Sequence, residues 1–321
     1  MSTNRRDEVS EELPIEDNEK ELWERVAREE GFGRADSYVA LARIAYNKGK
    51  FKESIAMCEI AREYFENNEA SERQHEILDV SIGISKNYEE LNKAAEAAEA
   101  LEKAVAAARV LEIETLDDLL RDQGRHWYTA NEYEKSLACH QEAMEISGLH
   151  MKDSPAGVDY LNIGMCFKML KHYPEAIESF RTAREIFKEA KEPYYIVTCD
   201  EELTEVYISL GNPVEIQYYA QRALDFYTLL QNHRHMWWLK YYIGIAYRLL
   251  GEDDEAINLF EDAKSLAVAM GYQEWEFLIK VEKELAEMFI LRGRVAEANE
   301  IFRRIKSVED IVRSETVHEA A

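Results

Sequence analysis

The chain has 321 residues, of which 46% are hydrophobic and 32% are charged, and its formal net charge is −25. Only 13 glycines and 5 prolines are present, so an all-β sandwich or barrel, which needs many turn residues, is excluded and long helices are expected. The acidic excess argues against binding to nucleic acid or to an anionic membrane, because both need a basic surface.

The two ends of the chain differ from its middle. Residues 1–18 are polar and charged and lack an apolar stripe, which predicts a mobile acidic tail. Leu22, Trp23 and Val26 follow at helical spacing and Gly31 ends the stretch, so one capping helix is predicted within residues 19–33. Residues 309–321 are expected to form a short C-terminal tail.

Residues 34–308 contain an internal repeat with a period of 40 to 42 positions. Each copy has a small residue, a mostly aromatic residue three positions later, a turn residue after seven and a second, mostly small residue after twelve. The small residues are Ala42, Gly83, Gly124, Gly164, Thr204, Gly244 and Ala286. The turn residues are Gly49, Glu90, Asn131, Lys171, Gly211, Gly251 and Gly293. Small residues let two antiparallel helices approach closely while aromatic rings fill the space beside the contact, so the repeat predicts seven stacked helix pairs.

This pattern resembles the tetratricopeptide repeat (TPR) family. In the clearest copy, Tyr160, Gly164, Phe167, Ala176 and Phe180 all match the family pattern. The resemblance implies an all-α, right-handed superhelical solenoid of about seven TPR-like helix pairs. The period is longer than the usual 34 residues. In this longer period the chain is similar to kinesin light chains, Pins-type adaptors, the ciliary dynein-arm docking subunit and Rap-type regulators.

The second repeat fits the pattern worst. Lys86, Glu99 and Glu102 occupy positions that belong to the core in other copies, although residues 93–113 strongly favour a helix. Two explanations stay open: the apolar residues of this helix serve in a shifted register, or the superhelix is broken by a hinge between residues 85 and 115.

No catalytic, metal or cofactor site is predicted. The histidines form no H-E-x-x-H motif, and the nucleophile and nucleotide motifs G-x-S-x-G, G-x-x-x-x-G-K-[ST] and G-x-G-x-x-G are absent. Cys58 falls on a core-facing stripe, and no C-x-x-C spacing occurs among the four cysteines. The sequence therefore favours a protein that is not an enzyme, in a reducing cytoplasmic setting.

The candidate binding surface follows from the resemblance. It implies that the first helix of each pair lines a concave groove, with residues three before, two before, one after and four or five after the small position facing inward. The predicted partner-binding residues are Arg121, Arg125, Tyr128, Leu161, Asn162, Met165, Lys168, Met169, Tyr241, Tyr242, Ile245 and Arg248. Large apolar side chains exposed together mark binding surfaces, and Met and Tyr suit partner contact.

Arg121, Arg125 and Asn162 are superficially similar to the carboxylate clamp of chaperone-binding TPR proteins. The fifth repeat presents Thr198 and Glu202 where further basic residues would be needed, which argues against such a clamp.

The function we expect is that of a non-catalytic scaffold or adaptor that holds a peptide or a partner helix in the groove. The alternative is a signal-responsive regulator whose superhelix changes shape on binding. Cytoplasmic location is expected, and cytoskeletal or ciliary association also fits the family resemblance.

Overall fold

The computed structural model describes residues 15–68, 71–148, 154–269 and 275–319. Over these ranges the chain forms fifteen α-helices and no strand, which confirms the all-α prediction. The helices are α1 (Ile15–Arg28), α2 (Phe32–Asn47), α3 (Phe51–Asn67), α4 (Gln74–Glu90), α5 (Ala94–Leu111), α6 (Leu116–Thr129), α7 (Tyr133–Ser147), α8 (Ser154–Met169), α9 (Tyr173–Ala190), α10 (Pro193–Leu210), α11 (Pro213–Leu229), α12 (His233–Leu250), α13 (Asp253–Ala269), α14 (Trp275–Leu291) and α15 (Val295–Glu319).

The helices from α2 to α15 form seven consecutive pairs, α2 with α3 through α14 with α15, as in an all-α repeat solenoid. The preceding helix, α1, packs on α2 through Leu22 and Val26. It begins at Ile15 rather than at residue 19 and stops at Arg28, and Gly31 instead precedes α2. Helix α15 continues through residues 309–319, so the segment predicted as a C-terminal tail is the end of this helix. Of the mobile tail predicted for residues 1–18, residues 1–14 lie outside the described residues.

All seven pairs turn in the same way. The residue at the turn has a positive φ, between 56° and 78°, and the next backbone N–H donates to the carbonyl of the aromatic position at 2.8–3.0 Å. This is the left-handed helix end that glycine and asparagine tolerate best. Six of the seven predicted turn residues are confirmed. The exception is Glu90, because the turn residue of the second pair is Asn92.

The second pair is therefore shifted by two residues from the predicted register. Its small position is Ser85, 3% exposed, and not Gly83. Tyr88 is its aromatic position, since the Tyr88 carbonyl accepts the turn hydrogen bond from Lys93 N–H at 2.9 Å. In this register the core residues of α5 are Ala97, Leu101 and Ala104, which are all buried, while Lys86, Glu99 and Glu102 are exposed.

The helices on either side of this segment stay packed. Ile84 shares a core cluster with Leu101, and Val105 shares another with Leu120 and Ala143. Of the two explanations for the poor fit, the shifted register is confirmed, and the break between residues 85 and 115 is wrong.

Three glycines show why small residues recur. A Cβ atom on Gly124, Gly164 or Gly244 would lie 2.6–2.8 Å from the ring of the facing side chain, His140, Phe180 or Phe260 respectively. These distances are too short for any side chain, so the helices of these pairs can approach this closely only at glycine.

The chain divides into two compact units, Met1–Leu149 and His150–Ala321. In the second unit a charged side chain four positions before the small residue joins consecutive pairs. Asp200 of α10 is 1% exposed, and its carboxylate lies 2.6 Å from Arg184 Nε on α9 and 3.2 Å from Arg222 Nε on α11. Burial raises the pKa of Asp200 although both guanidinium groups lower it.

The same position in the next two pairs also carries a charge. Glu282 of α14 is buried, and its carboxylate lies 2.7 Å from Lys264 on α13 and 2.7 Å from Arg304 on α15. In the pair between, the sign is reversed, because Lys240 of α12 donates to Asp262 of α13 at 2.8 Å. We call the clusters around Asp200 and Glu282 the inter-pair charge clusters, whereas the Lys240–Asp262 ion pair lies within the sixth pair.

Candidate binding surface on the first helices

The candidate site is built from the first helices of the pairs, α2, α4, α6, α8, α10, α12 and α14. We call the side formed by the predicted inward positions the first-helix face and describe it within each unit. The residues directly after the small position are Arg43, Lys86, Arg125, Met165, Glu205, Ile245 and Glu287, once the register of the second pair is corrected. Five of these seven are exposed, so this position faces solvent in most pairs.

The third pair keeps its three predicted residues at least partly accessible. Arg121 is paired within α6, with Nη1 2.8 Å from Asp117 and 3.0 Å from Asp118. Arg125 is exposed and its Nη1 lies 3.0 Å from Glu89 of α4. The half-buried Tyr128 makes an edge contact with the ring of Tyr133, with centroids 5.4 Å apart.

On the fourth pair, Asn162, Met165 and Met169 lie on one side of α8 at helical spacing, and Met169 is 41% exposed. Leu161 is 6% exposed and belongs to the core, so the exposure predicted for it is wrong.

Lys168 anchors a hydrogen-bonded network that runs across three first helices. Its Nζ lies 2.5 Å from Glu202 and 2.7 Å from Glu205, both on α10. The hydroxyl of Tyr242 on α12 donates to Glu205 at 3.0 Å. Burial lowers the pKa of Lys168, but Glu202 and Glu205 raise it by more, so the pKa lies above its usual value. The lysine is therefore charged, and the two carboxylates neutralise it.

The sixth pair places its predicted residues in two different environments. Arg248 reaches α14, with Nη1 2.5 Å from Glu284. Tyr241 and Ile245 are 4% and 7% exposed and belong to a core cluster with Phe277 of α14. The exposure predicted for these two residues is therefore wrong, because the next helix covers them.

A cleft between α2 and α4 was missed by the sequence analysis. Its volume is about 440 Å³, and we call it the α2–α4 cleft. It is lined by Val39, Ala42, Arg43, Tyr46, Ser54, Cys58, Asp79, Val80, Ile82, Gly83, Lys86 and Asn87. Taking Ser85 instead of Gly83 as the small position makes Ile82, Gly83 and Lys86 inward residues, so the correct register was the signal that would have found the cleft.

The cysteines have the properties of packing residues. Cys58 is 6% exposed, and burial raises the pKa of its thiol to about 11, so it stays protonated at neutral pH. Within the described ranges, no group of three or more His, Cys, Asp or Glu side chains is arranged to hold a metal ion. None of the described helices combines the length and apolar character needed to cross a membrane.

Comparison with known proteins agrees with this architecture. Residues 243–271, which include the turn of the sixth pair, match the family model described as tetratricopeptide repeat. The chain folds as a stack of TPR-type pairs. The resemblance predicted from the sequence is confirmed, and no curated protein matches the chain significantly.

Several solved structures share this TPR-type fold at low sequence identity. A signal-transduction ATPase with a tetratricopeptide repeat sensor from Pyrococcus horikoshii matches with a TM-score of 0.63 and 15% identity over 94% of this chain. The chain spans only 45% of that protein. The apo form of RapI matches with a TM-score of 0.57 and 18% identity, over 87% of this chain and 99% of RapI. The apo form of the quorum sensor NprR from B. thuringiensis matches with a TM-score of 0.54 and 15% identity, over 92% of this chain and 81% of NprR.

Proposed function

We propose that the chain is a non-catalytic, cytoplasmic scaffold or adaptor that holds a protein segment, either a peptide or a partner helix, on its first-helix face. The observation that carries the proposal is the surface of α8, where Asn162, Met165 and Met169 are accessible on one side of the helix. Methionine adapts to varied partners, and an adjacent amide can pair with a peptide backbone. None of the four cysteines forms a disulfide, in keeping with a reducing compartment.

The charges of this face favour a protein partner over a nucleic acid or an anionic membrane. Lys168 and Arg248 are each neutralised by glutamates of the next first helix, so neither is available to bind phosphate groups. With a net charge of −25, the chain would also repel a polyanion at long range.

Selection of peptides on the intact chain tests the proposal. A phage library of random 12-residue peptides would be panned on the immobilised protein, and enriched peptides would be titrated against variants. We expect Asn162→Ala combined with Met165→Ala to weaken binding about tenfold or more, equivalent to about 1.4 kcal/mol.

The matched controls are Glu255→Ala and Glu261→Ala, on the exposed surface of the second helix α13, and both should bind normally. If no peptide is enriched, or if binding is lost only in the α13 variants, the first-helix face is not the binding surface.

A signal-responsive regulator is the second candidate. It is favoured by the division of the chain into two compact units and by the fold shared with RapI and the quorum sensor NprR. In a regulator, an enriched peptide should change the radius of gyration in small-angle scattering. An unchanged radius on saturation with peptide would favour the scaffold.

A further inference from the structure

The α2–α4 cleft is open because the small residue on its wall is not used for helix packing. A Cβ atom on Gly83 would have Cys58 Sγ, 3.8 Å away, as its nearest neighbour. On Gly164 the same atom would lie 2.7 Å from the ring of Phe180. A side chain on Gly83 would therefore meet only an ordinary van der Waals contact, where Gly124, Gly164 and Gly244 face a ring at clashing distance.

One buried polar atom in this cleft has no partner. Asn87 is 2% exposed and donates through Nδ2 to the Gly83 carbonyl at 2.7 Å, but its Oδ1 accepts no hydrogen bond within the described residues. The equivalent positions of the last four pairs carry Cys166, Val206, Ala246 and Met288. An asparagine carbonyl left without a donor at such a position costs stability, and a ligand N–H would remove that cost.

Two cations flank the cleft. Arg43 on α2 and Lys86 on α4 are exposed, and neither forms an ion pair in the described part of the chain. Free guanidinium and ammonium groups beside a partly apolar cleft are suited to bind one carboxylate by charge-assisted hydrogen bonds. The carboxylate of Asp79 also lines the cleft, so a second ligand carboxylate would be repelled.

We propose that the α2–α4 cleft binds an extended peptide segment with a single acidic side chain. The carboxylate of that aspartate or glutamate pairs with Arg43 and Lys86, a backbone N–H of the segment donates to Asn87 Oδ1, and a neighbouring apolar side chain packs against Val39 and Ile82. This inference rests on the proposed function and assigns one part of the first-helix face to a defined peptide chemistry.

Binding of defined peptide pools to the full chain tests this proposal. Two fluorescein-labelled hexapeptide pools, both with amidated C-termini, would differ only in a fixed central residue, aspartate or asparagine, and binding would be measured by fluorescence polarisation. We expect the aspartate pool to bind at least tenfold more tightly. Arg43→Gln and Lys86→Gln should each reduce that preference about fivefold or more, whereas Lys52→Gln, an exposed change on α3, should leave it unchanged.

A third pool, with central asparagine and a free C-terminal carboxylate, separates the two possible sources of the anion. Tight binding of this pool would mean that the cleft recognises a chain terminus, and the side-chain assignment would be wrong. Equal binding of the aspartate and asparagine pools, or binding of neither, would also overturn the proposal.

Gly83→Leu provides a test that does not depend on charge. Because its side chain would enter free space, the variant should keep the thermal midpoint of the parent and lose binding of the aspartate pool by at least tenfold. Asn87→Ala should weaken binding of both pools, since it removes the acceptor of the backbone N–H. If peptides selected on the whole chain bind all four cleft variants normally, this inference fails while the proposed function stands.

Discussion

On the first-helix face, the cations of the second unit have different surroundings from those of the first two pairs. In the second unit, Lys168 is neutralised by Glu202 and Glu205 of the neighbouring first helix. In the first unit, Arg43 and Lys86 flank the α2–α4 cleft without an ion partner in the described residues. A basic residue at an inward position is therefore not by itself evidence of an anion site. What decides is whether a neighbouring first helix supplies a carboxylate.

The largest expected effect contrasts two glycine substitutions. Gly164→Leu should destabilise the second unit by about 3 kcal/mol, because the buried ring of Phe180 has no room to move. Gly83→Leu should cost nothing, since the cleft is open and leucine favours a helix more than glycine does. Urea unfolding followed by circular dichroism would measure both changes. Equal losses in the two variants would mean that the cleft is as tightly packed as the fourth pair.

The charge clusters of the second unit should be nearly as sensitive. Asp200→Ala leaves Arg184 without its buried partner and should cost about 3 kcal/mol. Asp262→Ala breaks the corresponding pair with Lys240, but the side chain of Asp262 is 64% exposed, so the cost should stay below about 1 kcal/mol. The same denaturation measurement compares the two, and a larger loss for Asp262→Ala would refute the ranking by burial.

A pH effect should distinguish the third pair from the fourth. Burial, helped by Arg121, lowers the pKa of His140 to about 4, so the folded state keeps this ring neutral. Unfolded histidine titrates near 6.5, so the stability due to neutral His140 is complete above that pH and is lost as the pH falls toward 4. We expect the parent to lose about 2 kcal/mol from this group between about pH 7.5 and pH 5.

His140→Phe provides the control for this pH effect, because Phe180 and Phe260 occupy the same position against glycines. The variant should lose that part of the pH dependence in denaturation curves measured across the range. If parent and variant lose stability in parallel, His140 is not the group responsible.

The smallest expected effect concerns Arg125, which is exposed like Arg43 but paired like Lys168. A double-mutant cycle of Arg125→Ala and Glu89→Ala should give a coupling energy below about 1 kcal/mol, since both side chains are about half exposed. Helical circular dichroism should be unchanged. A coupling above about 2 kcal/mol would show that this pair holds α4 and α6 together.

The sequence was sufficient to predict the helix pairs but not the register of every pair. Six of the predicted turn residues, which are glycine, asparagine or lysine, have the positive φ of a turn in the structure. In the second pair, Gly83 and Ser85 are both small enough for the helix contact, so residue size alone did not identify the small position. Tyr88 and Asn92 fit only the second choice, and weighting these two residues together would have recovered the register.

The candidate site was predicted less well for a physical reason. Position within a helix indicates which way a side chain points, but not whether the next helix covers it. Tyr241 and Ile245 occupy predicted inward positions and are nevertheless buried, because packing against α14 removes their apolar surface from water. Arg43, Lys86 and Arg125 stayed exposed because desolvation of a charge is costly, whereas Lys168 is largely buried and has two carboxylate partners. The partner-binding role of the predicted residues remains a prediction.

The inter-pair charge clusters have a consequence for the order in which helices assemble. Seven similar pairs expose similar apolar surfaces while the chain folds, so one helix could dock against the wrong neighbour. If α12 took the place of α10 against α9, Lys240 would meet Arg184 instead of the carboxylate of Asp200. The opposite charge on α12 would therefore disfavour an assembly in which α10 is skipped.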